Sequence, residues 1–357
     1  MKGSKSSLIA LVGGRVLTVA NGVMERGAVV LDAESGQILA VGVPTTRGGD
    51  VEIPAEAQVI DVTGKVVTPG LIDPHCHVGL MADGVGGDQG DVNETSDPVT
   101  PHMRALDAVD AQSPVFRELL AAGVTTVLTG PGSANVIGGQ WVCLKTVPRV
   151  MVDEMVLLEP AGMKMALGEN PKRVYGGRKK SPATRMGNAA VLREALVKAQ
   201  EYVAAWARYE DELAAYSSDG SQAIPVGAQV PVGAQVPVRA QAHDEGQAKA
   251  ARQQNGNGTK LPKPPSRDLK MEALAKVVTR EMKARIHVHQ ANDILTAIRI
   301  AEEFDLDITL EHVTAGHQVA EVIAAKEIPV TVGPIFSGRS KYELRAKHHK
   351  NPGVLSR

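Results

Sequence analysis

Two histidines, His75 and His77, close the run Val66-Val67-Thr68-Pro69-Gly70-Leu71-Ile72-Asp73-Pro74-His75-Cys76-His77. The run reads as a short strand. Side chains on a strand alternate faces, so the two imidazoles point one way and Cys76 the other. Two imidazoles on one side of a strand end can hold a divalent ion, because the neutral ring nitrogen is a good ligand for zinc and similar metals. A bare H-x-H is more often a surface strand. Here a Pro-Gly-Leu-Ile-Asp lead-in precedes the pair, and further histidines stand at the ends of later strand-like runs. His287 and His289 share one face of Ala284-Arg285-Ile286-His287-Val288-His289, and His312 ends Asp307-Ile308-Thr309-Leu310-Glu311-His312.

A second informative stretch is Ala161-Gly162-Met163-Lys164-Met165-Ala166-Leu167-Gly168-Glu169-Asn170-Pro171. Met163, Met165 and Leu167 share a face suited to packing against helices, which turns Lys164 and Ala166 to the opposite, interior face. A buried lysine needs a purpose, since burying its charge is costly. Strand parity favours Lys164 as a site residue, and position at the strand mouth favours the Glu169 carboxylate. Both stay open. Arg339 and Lys341 could pair with a substrate carboxylate, although surface charges are commoner. His317, His348 and His349 lie outside strand ends.

The elements that must position these groups begin with residues 1–65, a series of short strands punctuated by Asn21-Gly22, Glu34-Ser35-Gly36 and Arg47-Gly48-Gly49. Nothing in them carries chemistry. Residues 66–357 then alternate strands with helices, which predicts a parallel sheet or barrel. Ser113-Pro114 opens one helix by cap and N1 logic. Ala291 to Phe304 is amphipathic, with Ile294, Ile298, Ala301 and Phe304 on one stripe. Within this region 217–268 changes composition abruptly. It contains three hexapeptide copies, beginning at Pro225, Pro231 and Pro237, and is expected to be a disordered low-complexity insertion.

The P-G-L-I-D-x-H-x-H run, with His287 and His312 at later strand ends, resembles the amidohydrolase superfamily, in its imidazolonepropionase-like branch. The resemblance implies a (β/α)8 TIM-type barrel of the α/β class over 66–357, preceded by an N-terminal β-sandwich part. It implies metal ligation by His75, His77, His287 and His312, with His289 behind them. The further ligand would be Glu169, or Lys164 as a carboxylated bridge between two ions. Zinc or another first-row divalent metal, one or two ions, would lower the pKa of a water and polarise a scissile carbonyl. The expected activity is hydrolysis of a C–N bond in an amide or cyclic amide of a small molecule. The family's proton carrier is an aspartate at the end of strand eight, and no aspartate follows Asp307. Outside the insertion, residues 66–357 amount to roughly 240, where a full barrel takes about 250 before long loops are added. Strand eight is therefore expected to be absent, leaving the catalytic residue unknown. The alternative to an amidohydrolase is a non-catalytic, metal-binding remnant, or a fragment lacking that aspartate.

Composition limits the other classes. The 357 residues are 43% apolar and 22% charged with a formal net charge of −1, as in soluble globular proteins. Neither nucleic acid nor an anionic membrane has an electrostatic attraction to it, and aromatics at 3% give no base-stacking surface. Two cysteines, Cys76 and Cys143, make no disulfide framework. No apolar run approaches the roughly 20 residues of a membrane span. A cytoplasmic enzyme with a small-molecule substrate is expected, with a homo-oligomer left open.

Overall fold

The structure is a computed structural model that describes residues 6–81, 90–218, 261–336, 338 and 341–357. Most of the expected insertion, 219–260, lies outside the described residues, as do 82–89 and Arg339. Two compact units are present, Met1–Leu71 and Ile72–Arg357.

The first unit is a five-stranded sheet in the order β3-β2-β1-β4, with β5 also pairing β1. Its strands are β1 (Leu8–Leu17), β2 (Val23–Asp32), β3 (Gln37–Gly42), β4 (Gln58–Asp61) and β5 (Val66–Val67). Sequence reading separates Ala10–Val12 from Arg15–Val19. The chain instead runs through as one strand, with register shifts at Gly14 that absorb the glycine pair. The expected turn at Glu34–Gln37 joins β2 to β3. There Asp32 accepts hydrogen bonds from the amides of Glu34 and Ser35, and Gly36 supplies φ 71°. Ala10, Val30 and Val51 form its small core.

The second unit carries a seven-stranded sheet in the order β12-β11-β10-β9-β8-β7-β6. The strands are β6 (Leu71–Cys76), β7 (Val124–Thr129), β8 (Ile137–Lys145), β9 (Val156–Ala166), β10 (Ala284–Val288), β11 (Ile308–His312) and β12 (Val330–Val332). The pairs β9–β10, β10–β11 and β11–β12 are parallel, as the strand–helix alternation predicts. β8 departs from that pattern and runs antiparallel to both β7 and β9. The reason is in its connections. Residues 130–136 and 146–155 contain no α-helix to carry the chain back across the sheet, and parallel neighbours need such a crossover.

The helices are α1 (Pro114–Ala121), α2 (Glu169–Gly177), α3 (Arg185–Ser218), α4 (Leu269–Val278), α5 (Ala291–Glu303), α6 (Ala320–Ala325) and α7 (Asn351–Leu355). The Asp268 side chain caps α4 by accepting from the amides of Lys270 and Met271. Leu261, inside the expected insertion, packs against the Tyr202, Trp206 and Tyr209 cluster of α3, so the C-terminal edge of that segment is part of the fold. The main core joins one face of the strands to three helices. Met163, Met165, Ile286, Val288 and Leu310 meet Leu192 and Leu196 of α3, Leu274 and Val277 of α4, and Ile294 and Ile298 of α5. Burying each such side chain contributes about 1.5–3 kcal/mol. The predicted parity of β9 is realised, since Met163, Met165 and Leu167 all lie in this core.

The opposite face of the sheet cannot be flat. β6 and β11 are five steps apart in the strand order, which at ~4.8 Å per step would separate them by about 24 Å. Yet the rings of His75 on β6 and His312 at the end of β11 stand 4.5 Å apart, centroid to centroid. The sheet curls until its first and sixth strands face one another across a narrow interior.

Candidate active site

That interior holds an unbroken run of imidazoles. Ring centroids are separated by 5.7 Å for His77 and His75, 4.5 Å for His75 and His312, 4.5 Å for His312 and His287, and 4.6 Å for His287 and His289. His287, His289 and His312 each offer a ligand nitrogen, and these atoms all lie within 4.8 Å of one another. His289, expected behind the ligands, thus lies in one close group with His287 and His312.

Hydrogen bonds decide which nitrogen of each ring is free. His77 donates Nδ1–H to the carbonyl of Gly130 at 2.7 Å, and His312 does the same to the carbonyl of Gly333 at 2.7 Å. His75 donates Nδ1–H to Glu311 Oε2 at 2.7 Å. A carbonyl or carboxylate oxygen can only accept, so in all three rings Nε2 keeps its lone pair. His289 Nδ1 lies 2.7 Å from Thr314 Oγ1. Burial is the main cause that pulls the pKa of all five histidines below the ordinary value, to about 3 for His289 and His312. The neighbouring imidazoles and Lys164 add to the effect. The rings are therefore neutral near pH 7, the form that binds a metal.

His312 reaches this cluster against strand parity. Glu311 points into the interior, so the next side chain should point out. His312 has φ 71° and Val313 φ 43°, both left-handed. That turn swings the His312 ring back to the same side. It costs about 1–3 kcal/mol per residue for non-glycines and persists only where the surroundings enforce it. Here the amide of Val313 donates to the Val288 carbonyl at 3.0 Å, and that of Ala315 to the His289 carbonyl at 2.8 Å.

Beneath the histidines lies a charged layer. The Glu311 side chain is wholly buried and accepts from His75 on one oxygen; its other oxygen takes Arg285 Nη2 at 2.9 Å and Thr309 Oγ1 at 2.8 Å. Arg285 also donates to the Pro74 carbonyl at 2.6 Å. Lys164 is fully buried, with Nζ 3.4 Å from His75 Nε2 and 4.8 Å from the centre of the Trp141 ring. Burial pulls its pKa down to about 7; Glu311 opposes this and Arg285 reinforces it. Gly130, whose carbonyl fixes His77, sits so close to Trp141 that an added Cβ would stand 2.3 Å from the ring.

The remaining expected residues separate. Glu169 is tied to Glu343, donating its amide to Glu343 Oε2 at 2.9 Å and accepting from the Glu343 amide at 3.2 Å. It is not one of the three residues with mutually close ligand atoms among the described residues. Lys341 Nζ donates to Asn170 Oδ1 at 2.9 Å and lies 3.9 Å from Glu343 Oε1. Sequence reasoning gave no role to Glu311, Arg285, Trp141 or Glu343. A glutamate in a buried strand beside a histidine is a usable signal for Glu311. Glu343, eleven residues past β12, offers none.

The residues present suit a divalent ion: several neutral imidazoles converge in a buried interior, and three are backed by oxygen acceptors that leave Nε2 unprotonated. Compared with models of known protein families, the chain matches none. It is 35% identical to an amidohydrolase from Thermotoga maritima MSB8, whose crystal structure superimposes with a TM-score of 0.76 over 98% of this chain and 76% of that one. The chain belongs to the amidohydrolase superfamily. This amidohydrolase chain is also 30% identical over 285 residues to the amidohydrolase tasK of Hapsidospora irregularis, covering 76% of this chain and 25% of that protein. It is 46% identical over 56 residues to imidazolonepropionase of Geobacillus sp. (strain WCH70), covering 15% of this chain and 13% of that enzyme. The chain thus spans about a quarter, or less, of the length of these curated relatives. Among the described residues no helix is long and apolar enough to cross a membrane.

Proposed function

We propose that the protein hydrolyses a C–N bond, in an amide or cyclic amide of a small molecule, with a first-row divalent metal such as zinc. One observation carries this reading: His75, His77 and His312 donate Nδ1–H to fixed oxygens, which leaves Nε2 unprotonated, within one buried interior that also holds His287 and His289. These rings would hold one or two ions. Lys164 fits the bridging role better than Glu169, because its Nζ lies 3.4 Å from His75 Nε2, whereas Glu169 is engaged by Glu343. A pKa near 7 also leaves part of the Lys164 amine neutral, the form that can be carboxylated. Such an ion polarises a carbonyl and activates a water molecule when bound.

The chain's own groups prepare the site for that chemistry. Glu311 and the two carbonyls fix the ring tautomers, and burial keeps the rings unprotonated. Lys341, whose Nζ donates to Asn170 Oδ1, is proposed to meet a substrate carboxylate, and Arg339, outside the described residues, is proposed to share that task. Elemental analysis of the purified protein is the first test. Zinc or a similar ion should be found and should fall to a small fraction in the variant His75→Ala/His77→Ala/His287→Ala/His312→Ala. Full occupancy in that variant would sink the assignment. Turnover of a panel of amides and cyclic amides, abolished by a chelator and restored by metal, is the expected companion result. A non-catalytic metal-binding protein is a second reading. It is favoured by the composition of the mutually close group, which among the described residues contains histidines and no aspartate. Metal binding without turnover of any amide would support it.

A further inference from the structure

Glu343 arrives at the histidines from the segment after β12, and its side chain is wholly buried. Its two oxygens have different surroundings. Oε2 accepts the Glu169 amide at 2.9 Å, at the start of α2. Oε1 has no hydrogen-bond partner among the described residues, which for a buried carboxylate oxygen is costly. The unpartnered oxygen is aimed at the imidazoles, 3.6 Å from His289 Nε2 and 4.0 Å from His287 Nε2. Lys341 Nζ, 3.9 Å away, is beyond hydrogen-bonding distance.

The surrounding chain is shaped to keep this carboxylate in place. Gly168 has φ 94°, and a Cβ there would come within 2.9 Å of Glu343 Oε2. A side chain at 168 would be strained by its backbone and would press on the carboxylate. The Glu169–Glu343 contact is reciprocal, each amide donating to the other's carboxylate. These contacts fix Oε2 and leave Oε1 pointing at the rings.

We infer that Glu343 is a carboxylate ligand of the metal held by His287, His289 and His312, supplied from outside the seven strands. Nitrogen and oxygen ligands bound at about 2.0–2.2 Å to one tetrahedral ion stand about 3.3 Å apart. The 3.6 Å between Glu343 Oε1 and His289 Nε2 is within a few tenths of an ångström of that spacing. An ion there satisfies the orphaned oxygen. A ligand on this late segment also couples metal binding to the placement of residues 341–343, so the metal orders Lys341 at the rim.

This inference rests on the metal-centre reading above, and one experiment separates the two. Cobalt(II) is titrated into the chelator-treated full chain, its visible absorption is recorded, and its affinity is measured by competition with a chromophoric chelator. Wild-type protein should bind with absorption in the tetrahedral or five-coordinate range. Glu343→Gln, which keeps the shape and removes the charge, should bind at least 10–100-fold more weakly with a shifted spectrum. Glu343→Asp, which keeps the charge and shortens the reach, should fall between them. If wild-type protein binds no cobalt, the metal-centre reading itself fails. If it binds and both Glu343 variants, folded by circular dichroism, match its affinity and spectrum, only the role of Glu343 is overturned. Should Glu343→Gln not fold, the Glu343→Asp spectrum decides, since a ligand moved by one methylene must alter it.

Discussion

His75 donates its Nδ1 proton to Glu311 Oε2 over 2.7 Å, although the two residues lie 236 positions apart and five strands apart in the sheet order. The bond closes the curled sheet across its interior and fixes which His75 nitrogen is free. Arg285 Nη2 lies 2.9 Å from the other oxygen of Glu311. Both members of that ion pair are almost completely buried, so each depends on the other.

Removing the carboxylate should therefore have two separable effects. Glu311→Gln keeps an acceptor for His75 but leaves Arg285 without its counter-charge. Glu311→Ala removes both functions. We expect metal affinity to fall about 10–100-fold in Glu311→Ala, as is usual when a partner behind a metal-binding histidine is lost, and to fall less in Glu311→Gln. Both variants should lose stability, Glu311→Ala by about 3–5 kcal/mol, because each strands a buried guanidinium. Calorimetric metal titration and urea unfolding read the two effects. Unchanged metal affinity in both variants would show that Glu311 serves the fold alone.

The left-handed backbone at His312 gives a second test. Asparagine tolerates that conformation better than other non-glycine residues and lacks the imidazole. His312→Asn is expected to lose metal while keeping stability within about 1 kcal/mol, against a cost of about 1–3 kcal/mol for residues that resist the turn. His312→Val, β-branched at φ 71°, should lose both metal and stability. Thermal unfolding of the two metal-free variants side by side would reveal whether the turn is strained. Equal melting temperatures would contradict the strain.

The buried histidines also set a direction for pH. Their folded pKa values lie below the unfolded value of about 6.5, near 3 for His289 and His312, with burial the leading cause. Between those values the unfolded chain binds more protons than the folded one, so stability rises with pH. This stability is complete above about pH 6.5 and is lost as the pH falls toward 3. The metal-free protein should unfold at progressively lower urea concentration from pH 6.5 to pH 4. Replacing His289 by Gln should flatten that slope. A midpoint independent of pH across this range would show that the rings are already charged in the folded state.

The amino-acid sequence by itself determined the alternation that builds the scaffold. The period-two pattern of Met163, Met165 and Leu167, and of Ile286 and Val288, already assigned one face to the helices. What remained on the other face was Lys164, Arg285 and His287. Those assignments are local, since neighbours two residues apart on a strand must share a side. The H-x-H at 75–77 was legible for the same reason. Three features were decided only by tertiary structure. The direction of β8 follows from connections too plain in sequence to distinguish a hairpin from a crossover. The entry of both Glu311 and His312 into the interior breaks the alternation, and it depends on a left-handed turn held in place by the carbonyls of Val288 and His289, which accept from the amides of Val313 and Ala315. Glu343, and the diversion of Glu169 toward it, depend on contacts between residues 174 positions apart. Periodicity reports which side of its own element a residue faces; only the closing of the sheet decides what it meets there.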